Sequence, residues 1–311
     1  MALHRLISVT MGVPDVAKTA AYYTDFGLAP DGDGWFATRD AGRQLRIVRA
    51  ATRRLLELRV AADTPDDLAA AASRLDRLGV RSTLTGTALT AVDRAAEVRV
   101  VIETAPRTVQ DTVPAPAVNG PGRAERTGAR APAVLREGPV RPRRLGHAVL
   151  GTTDLTGSTA FFRDGLGFRA SDYLKDHGAF LRCSTDHHNL LLLAAPLAYL
   201  HHTSWQVDDV DEIGRGATAM LEGHPERHVW GLGRHYAGSN FFWYLKDPAG
   251  NFSEYYADMD CVVDDALWTP EVLEGAKSLF SWGPPPPPSF LDPEDLAALM
   301  TSSHTPGNGA R

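Results

Sequence analysis

Three widely separated residues have the types that together make one kind of metal site: His147 in LGHAVL, His202 in LHHTSWQV and Glu254 in GNFSEYY. Two neutral imidazoles and one carboxylate on one face of an ion form the facial triad of oxygen-activating, non-haem Fe(II) sites. That arrangement leaves positions open for substrate and dioxygen. Each residue lies in a short apolar, strand-like run. We therefore predict that the three side chains point inward from a rigid sheet and bind a metal.

The elements that would hold these residues follow a repeated order. In the first hundred residues, HRLISVTMGV is predicted as a strand, and Asp15 caps a short helix that ends near Gly27. A longer helix begins near Pro65 and ends at Gly79. The runs GWFATRD, RQLRIVRA, RLLELRVAA, STLTGTALTAVD and EVRVVIET are each predicted as strand-like pieces.

This pattern returns after residue 143. ISVTMGVPDVAKTAAYYTDFGL aligns with GHAVLGTTDLTGSTAFFRDGLGF, so that Asp15 meets Asp154 and a pair of tyrosines meets a pair of phenylalanines. The order strand, helix, strands is predicted to occur four times, twice in each of two modules. Self-similarity of this kind indicates a duplicated architecture.

The duplication provides an internal comparison for the three candidate ligands. In the alignment by sequence, the first-module residues opposite them are Ser8, Leu55 and Val100. A residue that the fold itself required would be expected in both copies. We therefore interpret the three ligand-type residues of the second module as functional.

The chain divides into four predicted segments. Residues 1–105 form the first module and residues 141–258 the second, metal-binding one. Residues 106–140 are rich in Pro, Gly, Ala and Arg and are predicted to be a linker or a surface arm. Residues 259–311 form an aromatic and proline-rich tail.

The tail is predicted to dock on the body of the protein, and to cover the mouth of a pocket or an oligomer contact. Residues beyond about Ser302 are predicted to be disordered. The docking prediction is based on four aromatic residues, Trp268, Phe280, Trp282 and Phe290.

Composition narrows the class of protein. The 311 residues are 43% hydrophobic and 23% charged, which is ordinary for a globular protein, and the net charge of −6 does not favour nucleic acid as a partner. We read no membrane span and no signal peptide. Cys183 and Cys261 are far apart in sequence, which indicates a reducing, cytoplasmic setting rather than a disulfide framework.

Longer motifs extend the prediction. GHAVLGTTDL, DHHNLLLL, LHHTSWQV and GLGRHYAGSNFFWYLKDPAGNFSEYY occur in this order between about 145 and 257. Together they resemble the type I extradiol ring-cleaving dioxygenases of the vicinal oxygen chelate superfamily. The first module resembles the non-catalytic N-terminal domain of that family more weakly.

The resemblance implies an α+β fold of two tandem modules, each of paired βαβββ units curled into an incomplete barrel, with the metal in the second. It implies Fe(II)-dependent cleavage of a catechol-type ring, with O2 as co-substrate and both of its atoms incorporated. Mn(II) prefers similar ligands and is the alternative metal. A small-molecule catechol and a homo-oligomer are the implied partners.

The family also implies roles for single residues. The three candidate ligands become the Fe(II) ligands, and His188 in DHHNLLLL becomes the acid/base histidine, with its neighbour His187 as the alternative. His235 and Tyr244 match residues that hydrogen-bond the substrate and oxygen species. Val149 stands where family members often carry a polar residue, so the substrate contacts are expected to differ.

Some of these residues, and the function itself, have alternative interpretations. A lone histidine on a strand is usually structural, and His201, predicted to face away from the cavity beside a ligand, is read in that way. Cys183 is read as a small buried apolar residue. Rival functions are another metalloenzyme of the superfamily, such as a 2-oxo-acid-dependent oxygenase or a lyase/isomerase, and a non-catalytic protein that binds an aromatic compound.

Overall fold

The computed structural model describes residues 3–300 as two β-sheets flanked by few helices. The predicted α+β class with two sheet modules is confirmed. The first sheet contains β1 Leu3–Val13, β2 Ala29–Pro30, β3 Trp35–Thr38, β4 Gly42–Arg49, β5 Arg54–Ala62, β6 Ser82–Leu84, β7 Ala88–Asp93 and β8 Val98–Thr104. The second contains β9 Arg144–Thr152, β10 Arg169–Leu174, β11 Gly178–Arg182, β12 Leu190–Ala194, β13 Tyr199–Gln206, β14 His228–Arg234, β15 Phe241–Lys246, β16 Phe252–Ala257 and β17 Val272–Leu273.

The α-helices connect and cover these strands. None in the described part of the chain combines the length and apolarity that crossing a membrane requires. They are α1 Val16–Asp25, α2 Pro65–Arg77, α3 Leu155–Ala160, continued by a π-helical turn over Phe161–Leu166, α4 Val210–Leu221, α5 Pro288–Leu291 and α6 Leu296–Met300. Single 3-10 turns lie at Pro132–Leu135, Pro225–Arg227, Asp265–Leu267 and Gly275–Ser278.

Both sheets follow one topology. The strand order is β2-β3-β4-β1-β5-β8-β7-β6 in the first sheet and β14-β15-β16-β13-β9-β12-β11-β10-β17 in the second. In each sheet the leading strands of two βαβββ units pair antiparallel at the centre, β1 with β5 and β9 with β13. The predicted fourfold use of strand, helix and strands is therefore confirmed, with β17 added by the tail.

Capping residues define where the helices begin. The Asp15 side chain accepts the backbone N–H of Lys18, as predicted for a helix cap. Thr64 and Asp67 form a capping box ahead of Pro65 at the start of α2. One predicted piece was too long: STLTGTALTAVD is a hairpin of β6 and β7, because Ser82–Leu84 folds back antiparallel onto residues 89–91.

The strand ladders correct the alignment of the two modules. Three register shifts interrupt β1 against β5, and two interrupt β9 against β13 at points equivalent to the second and third of these. Matching them sets His147 opposite Ser8 as predicted, but His202 opposite Glu57 and Glu254 opposite Val101, not Leu55 and Val100. The alignment by sequence was wrong at two positions because the bulges shift the register.

One ligand-type residue therefore does occur in the first sheet. Glu57 pairs there with Arg59 at 3.2 Å and with Arg99 at 2.5 Å. The first sheet thus has a carboxylate neutralised by guanidinium groups where the second has a histidine. At the other two equivalent positions the first sheet has Ser8 and Val101, whose side chains are not of the predicted ligand types.

The two modules share one hydrophobic core. Phe26, just after α1, stacks on Tyr255 of β16 with ring centroids 3.9 Å apart and planes inclined by 2°. The Tyr255 hydroxyl donates to the Phe26 carbonyl at 2.7 Å, and the Tyr22 hydroxyl hydrogen-bonds the Ser253 hydroxyl at 2.6 Å. The first module therefore supports the outer face of the strand that carries Glu254.

The predicted linker has little regular structure, whereas part of the predicted tail packs on the body of the protein. Between β8 and β9 the regular structure comprises the turn at Pro132–Leu135 and an isolated bridge between Gly120 and Arg123. In the tail, Phe290 is 7% exposed and packs on the body, whereas Trp282 is 47% exposed. The prediction of disorder beyond Ser302 lies outside the described residues.

Replacing Phe26 with Ala should lower the free energy of unfolding by about 3–5 kcal/mol, because a buried aromatic contact between the modules is lost and a cavity forms. Urea unfolding followed by tryptophan fluorescence measures this. Leu84→Ala, at a side chain that is 46% exposed, is the control and should change stability by less than about 0.5 kcal/mol. Equal losses in the two variants would contradict the shared core.

Candidate metal centre and active site

Three neighbouring strands bring the predicted ligands together. β9 carries His147, β13 carries His202 and β16 carries Glu254, and these strands are adjacent in the order β16-β13-β9. Ser204 of β13 pairs with both His147 and Glu254, and His202 is two residues away on the same face. One ligand atom from each of the three residues lies within 4.8 Å of the others.

The individual distances fit a common cation. Glu254 Oε2 lies 3.0 Å from His147 Nε2 and 3.6 Å from His202 Nε2, and the two Nε2 atoms are 3.3 Å apart. Two cis ligands at about 2.1 Å from one ion are separated by about 3 Å. Glu254 is fully buried, and its Oε2 accepts no hydrogen bond from any described residue. A buried carboxylate oxygen without a donor calls for a positive charge.

The neighbour of one candidate ligand sets its tautomer. His201 Nε2 lies 2.7 Å from the Phe290 carbonyl, which can only accept, so this nitrogen carries a proton. Burial lowers the pKa of His201 to about 4, so the ring is neutral near pH 7 and its Nδ1 accepts. His202 Nδ1, 2.8 Å away, must then donate, which leaves His202 Nε2 unprotonated toward the other two ligand atoms.

His147 lacks such support. Its Nδ1 is buried without a hydrogen-bond partner among the residues that the structure describes. The ring is instead held by packing, with His188 at 4.2 Å and Tyr256 at 5.6 Å between ring centroids.

The adjacent pair His187 and His188 divides between two environments. His188 lines the cavity in front of the candidate ligands, whereas His187 is fully buried behind it. Burial, and next the neighbouring histidines His147 and His187, hold the pKa of His188 well below its usual range. His188 is therefore a neutral imidazole that faces the cavity, whereas His187 does not reach the cavity.

His235 and Tyr244 form a second polar pair at the cavity. His235 Nδ1 donates to the Leu279 carbonyl at 2.5 Å, so its Nε2 accepts the Tyr244 hydroxyl at 2.8 Å. Burial raises the pKa of Tyr244 well above its usual value, which keeps the phenol protonated. Glu254 Oε1 receives a hydrogen bond from Asn240 Nδ2 at 3.2 Å.

The cavity that these residues line has a volume of about 620 Å³, within the usual range for small-molecule sites. His147, His188, His202 and His235 line it, and Glu254 Oε2 lies 3.0 Å from His147 Nε2. Apolar side chains, among them Val149 and Phe180, line the cavity beside these polar groups. A polar, metal-competent end and an apolar wall suit a flat aromatic ligand that carries its polar atoms on one edge.

Some residues at the site had no signal in the sequence. Asn240 lies inside a recognised motif but had no assigned role. The Phe290 and Leu279 carbonyls, which set the tautomers of His201 and His235, are backbone groups of the tail. A backbone carbonyl has no residue type, so no motif could have indicated it.

Comparison with known proteins agrees with this geometry. Residues 144–255 match the sequence model of the Glyoxalase/Bleomycin resistance protein/Dioxygenase superfamily. The matched residues include His147, His202 and Glu254. Metapyrocatechase 2 of Cupriavidus necator is 41% identical over 155 residues, which are 49% of this chain and 48% of that protein.

Two further similarities concern the metal and the fold. The iron-dependent extradiol dioxygenase of Rhodococcus jostii (strain RHA1) is 31% identical over 154 residues, covering 45% of this chain and 50% of that protein. The chain thus spans about half the length of the curated relatives it matches. The solved Mn(II)-bound glyoxalase from Novosphingobium aromaticivorans has a TM-score of 0.71 at 25% identity, and covers 92% of this chain and 93% of its own.

Neutral burial of His201 predicts acid sensitivity. Its pKa rises from about 4 in the folded chain to 6.5 on unfolding, so unfolding takes up a proton and stability falls as the pH drops from 6.5 toward 4. In chelator-treated protein this one group should remove about 2 kcal/mol between pH 7 and pH 5. Urea unfolding at both pH values measures this. The loss in the free energy of unfolding between pH 7 and pH 5 should be about 2 kcal/mol smaller in His201→Gln than in the wild type.

His224→Gln, which replaces an exposed histidine, is the matched control and should keep the wild-type difference between the two pH values. If both variants gave the same difference, His201 would not be buried in its neutral form.

Proposed function

We propose that this chain is an extradiol ring-cleaving dioxygenase, which opens the ring of a catechol-type substrate beside the diol and incorporates both atoms of O2. The observation that carries the proposal is the convergence of His147, His202 and Glu254 beside the cavity that His188 and Tyr244 also line. The named relatives Metapyrocatechase 2 and the iron-dependent extradiol dioxygenase support the same class of reaction.

His147, His202 and Glu254 are the proposed ligands of Fe(II). A bound ion would supply the redox and Lewis-acid chemistry that brings a catecholate and dioxygen to react. One carboxylate and two neutral imidazoles leave Fe(II) with a net charge near +1, which favours an anionic catecholate. Mn(II) has the same ligand preferences, and a solved structure of this fold contains it.

The remaining polar residues act on protons and orientation. His188, neutral and facing the cavity, is the proposed group that takes a proton from the substrate hydroxyl and later returns it. Tyr244 keeps its proton and donates it to His235 Nε2, so the pair holds the Tyr244 hydroxyl oxygen as a fixed acceptor for a protonated substrate oxygen. The apolar wall of Val149, Phe180 and their neighbours holds the ring and excludes water.

Two wider predictions are kept as proposals. We propose a homo-oligomer, which light scattering on the purified chain would test, and a cytoplasmic location. The proposed partner at the site is the small catechol-type molecule itself.

The reaction class is tested by oxygen uptake of anaerobically prepared, Fe(II)-loaded protein with a panel of substituted catechols, with visible absorbance followed in parallel. Stoichiometric uptake and a yellow ring-opened product are expected. Uptake that required a 2-oxo acid, or ligand binding without any uptake by iron-replete protein, would replace the proposal with one of its rivals.

Glu254→Gln should abolish metal retention, because it removes the anionic ligand from a buried position between two neutral imidazoles. The metal content after gel filtration and the oxygen uptake should both fall to background. Glu226→Gln, at an exposed carboxylate, is the control and should retain both. Full activity of Glu254→Gln would contradict the proposed metal centre.

His188→Gln should keep the metal and lower kcat by about 10²–10⁴-fold, because the proton acceptor is lost while the three ligands remain. Iron content and steady-state oxygen uptake measure the two effects separately. His177→Gln, at the exposed rim of the same cavity, should leave kcat within about twofold. An unchanged kcat in His188→Gln would remove His188 from the mechanism.

A further inference from the structure

A buried hydrogen-bonded chain lies directly behind His188. His187 Nδ1 is 3.1 Å from His188 Nδ1, and His187 Nε2 is 3.0 Å from Asp172 Oδ2. His187 is fully buried and Asp172 is 5% exposed. Because two Nδ1 atoms face each other, one must donate and the other must accept, so the protonation of the two rings is linked.

Asp172 determines which atoms donate and which accept in these hydrogen bonds. Its Oδ1 accepts the backbone N–H of Glu271 at 2.8 Å, and its Oδ2 faces His187 Nε2. A carboxylate only accepts hydrogen bonds, so His187 Nε2 must carry a proton. In the neutral ring His187 Nδ1 then accepts, and His188 Nδ1 must donate. This leaves His188 Nε2 unprotonated.

We propose that Asp172 and His187 are positioning residues that hold His188 in its Nδ1-protonated tautomer, with Nε2 left as the proton acceptor for the cavity. The inference rests on the proposed function, in which His188 takes the substrate proton. Neither Asp172 nor His187 lines the cavity, so both act through His188 alone.

The C-terminal tail holds Asp172 and His187 in place. Strand β17 pairs with β10 at residues 173 and 174, directly after Asp172. The Trp268 ring packs edge-on against His187 at 5.2 Å, and its indole N–H donates to the Ser171 carbonyl at 2.8 Å. Asp172 is therefore held from both sides, which keeps its two oxygens assigned to separate donors.

The same device occurs a second time in the molecule. His201 and His202 also meet through their Nδ1 atoms, and the outer histidine is anchored at Nε2 by an acceptor, here the Phe290 carbonyl. In both pairs the histidine nearer the cavity, His188 or His202, is left with an unprotonated Nε2. The first pair thus follows a rule that the candidate metal ligand His202 obeys as well.

Asp172→Asn should reverse the tautomers at nearly constant shape. The Glu271 N–H still needs an acceptor, so the new amide carbonyl stays there and the amide NH2 faces His187. His187 Nε2 must then accept, its Nδ1 donates to His188, and His188 Nε2 becomes protonated. Loss of the correct tautomer should lower kcat by about 10²–10⁴-fold, with KM and iron content unchanged.

The tautomers are read by ¹⁵N NMR of the full chain, labelled in histidine and loaded with diamagnetic Zn(II), with His188 assigned by its absence in His188→Gln. In the wild type, His188 should be protonated at Nδ1 only. In Asp172→Asn the proton should be at Nε2. Asp164→Asn, the same change at an exposed carboxylate that pairs with Arg163, is the matched control and should retain the wild-type tautomer.

A wild-type His188 protonated at Nε2 would overturn the inference, as would an Asp172→Asn variant with unchanged tautomer and kcat. The wild-type spectrum decides the first point even if the variant does not fold. Reversed tautomers in a chain that takes up no oxygen would support the positioning role and reject the dioxygenase. Oxygen uptake by the wild type, with no tautomer change in Asp172→Asn, would support the dioxygenase and reject the positioning role.

Discussion

A carboxylate with no exposed surface lies at the centre of the second sheet, and the arrangement around it follows from the need to compensate its charge. The nearest groups to Glu254 Oε2 are two imidazole nitrogens rather than a lysine or arginine. The His201 contact keeps one of these nitrogens unprotonated, so it cannot neutralise the carboxylate by itself. A bound cation removes this cost, and the same electron pairs then become its ligands.

The fold meets this requirement with neighbouring strands instead of loops. Five strands are adjacent in the order β15, β16, β13, β9 and β12. The first four carry Tyr244, Glu254, His202 and His147 in that order, and His188 lies just before β12. Strand pairing fixes the relative height of each side chain, and Phe26 of the first module packs on Tyr255 beside Glu254. The tail supplies the remaining constraint, because its carbonyl groups orient His201 and His235 and the Glu271 N–H holds Asp172 behind His187.

Much of this could be predicted from the sequence, since residue types in order along strand-like runs indicate both the fold and the candidate ligands. The choice between His187 and His188 could not, because adjacent residues differ only in the direction in which they point. The register of Glu57 and Val101 was missed since a bulge leaves no mark in the residue pattern. The tail contacts through Phe290 and Leu279 were beyond reach because backbone groups look alike at every position.

The matched bulges of the two sheets have a consequence for protein design. Both sheets bend their central strand pair at equivalent points, although the first has no set of candidate ligands. The geometry that presents three inward side chains is therefore a property of the duplicated frame. A second centre could be built into the first sheet at Ser8, Glu57 and Val101, and the main obstacle is the pair of arginines, Arg59 and Arg99, that now neutralises Glu57.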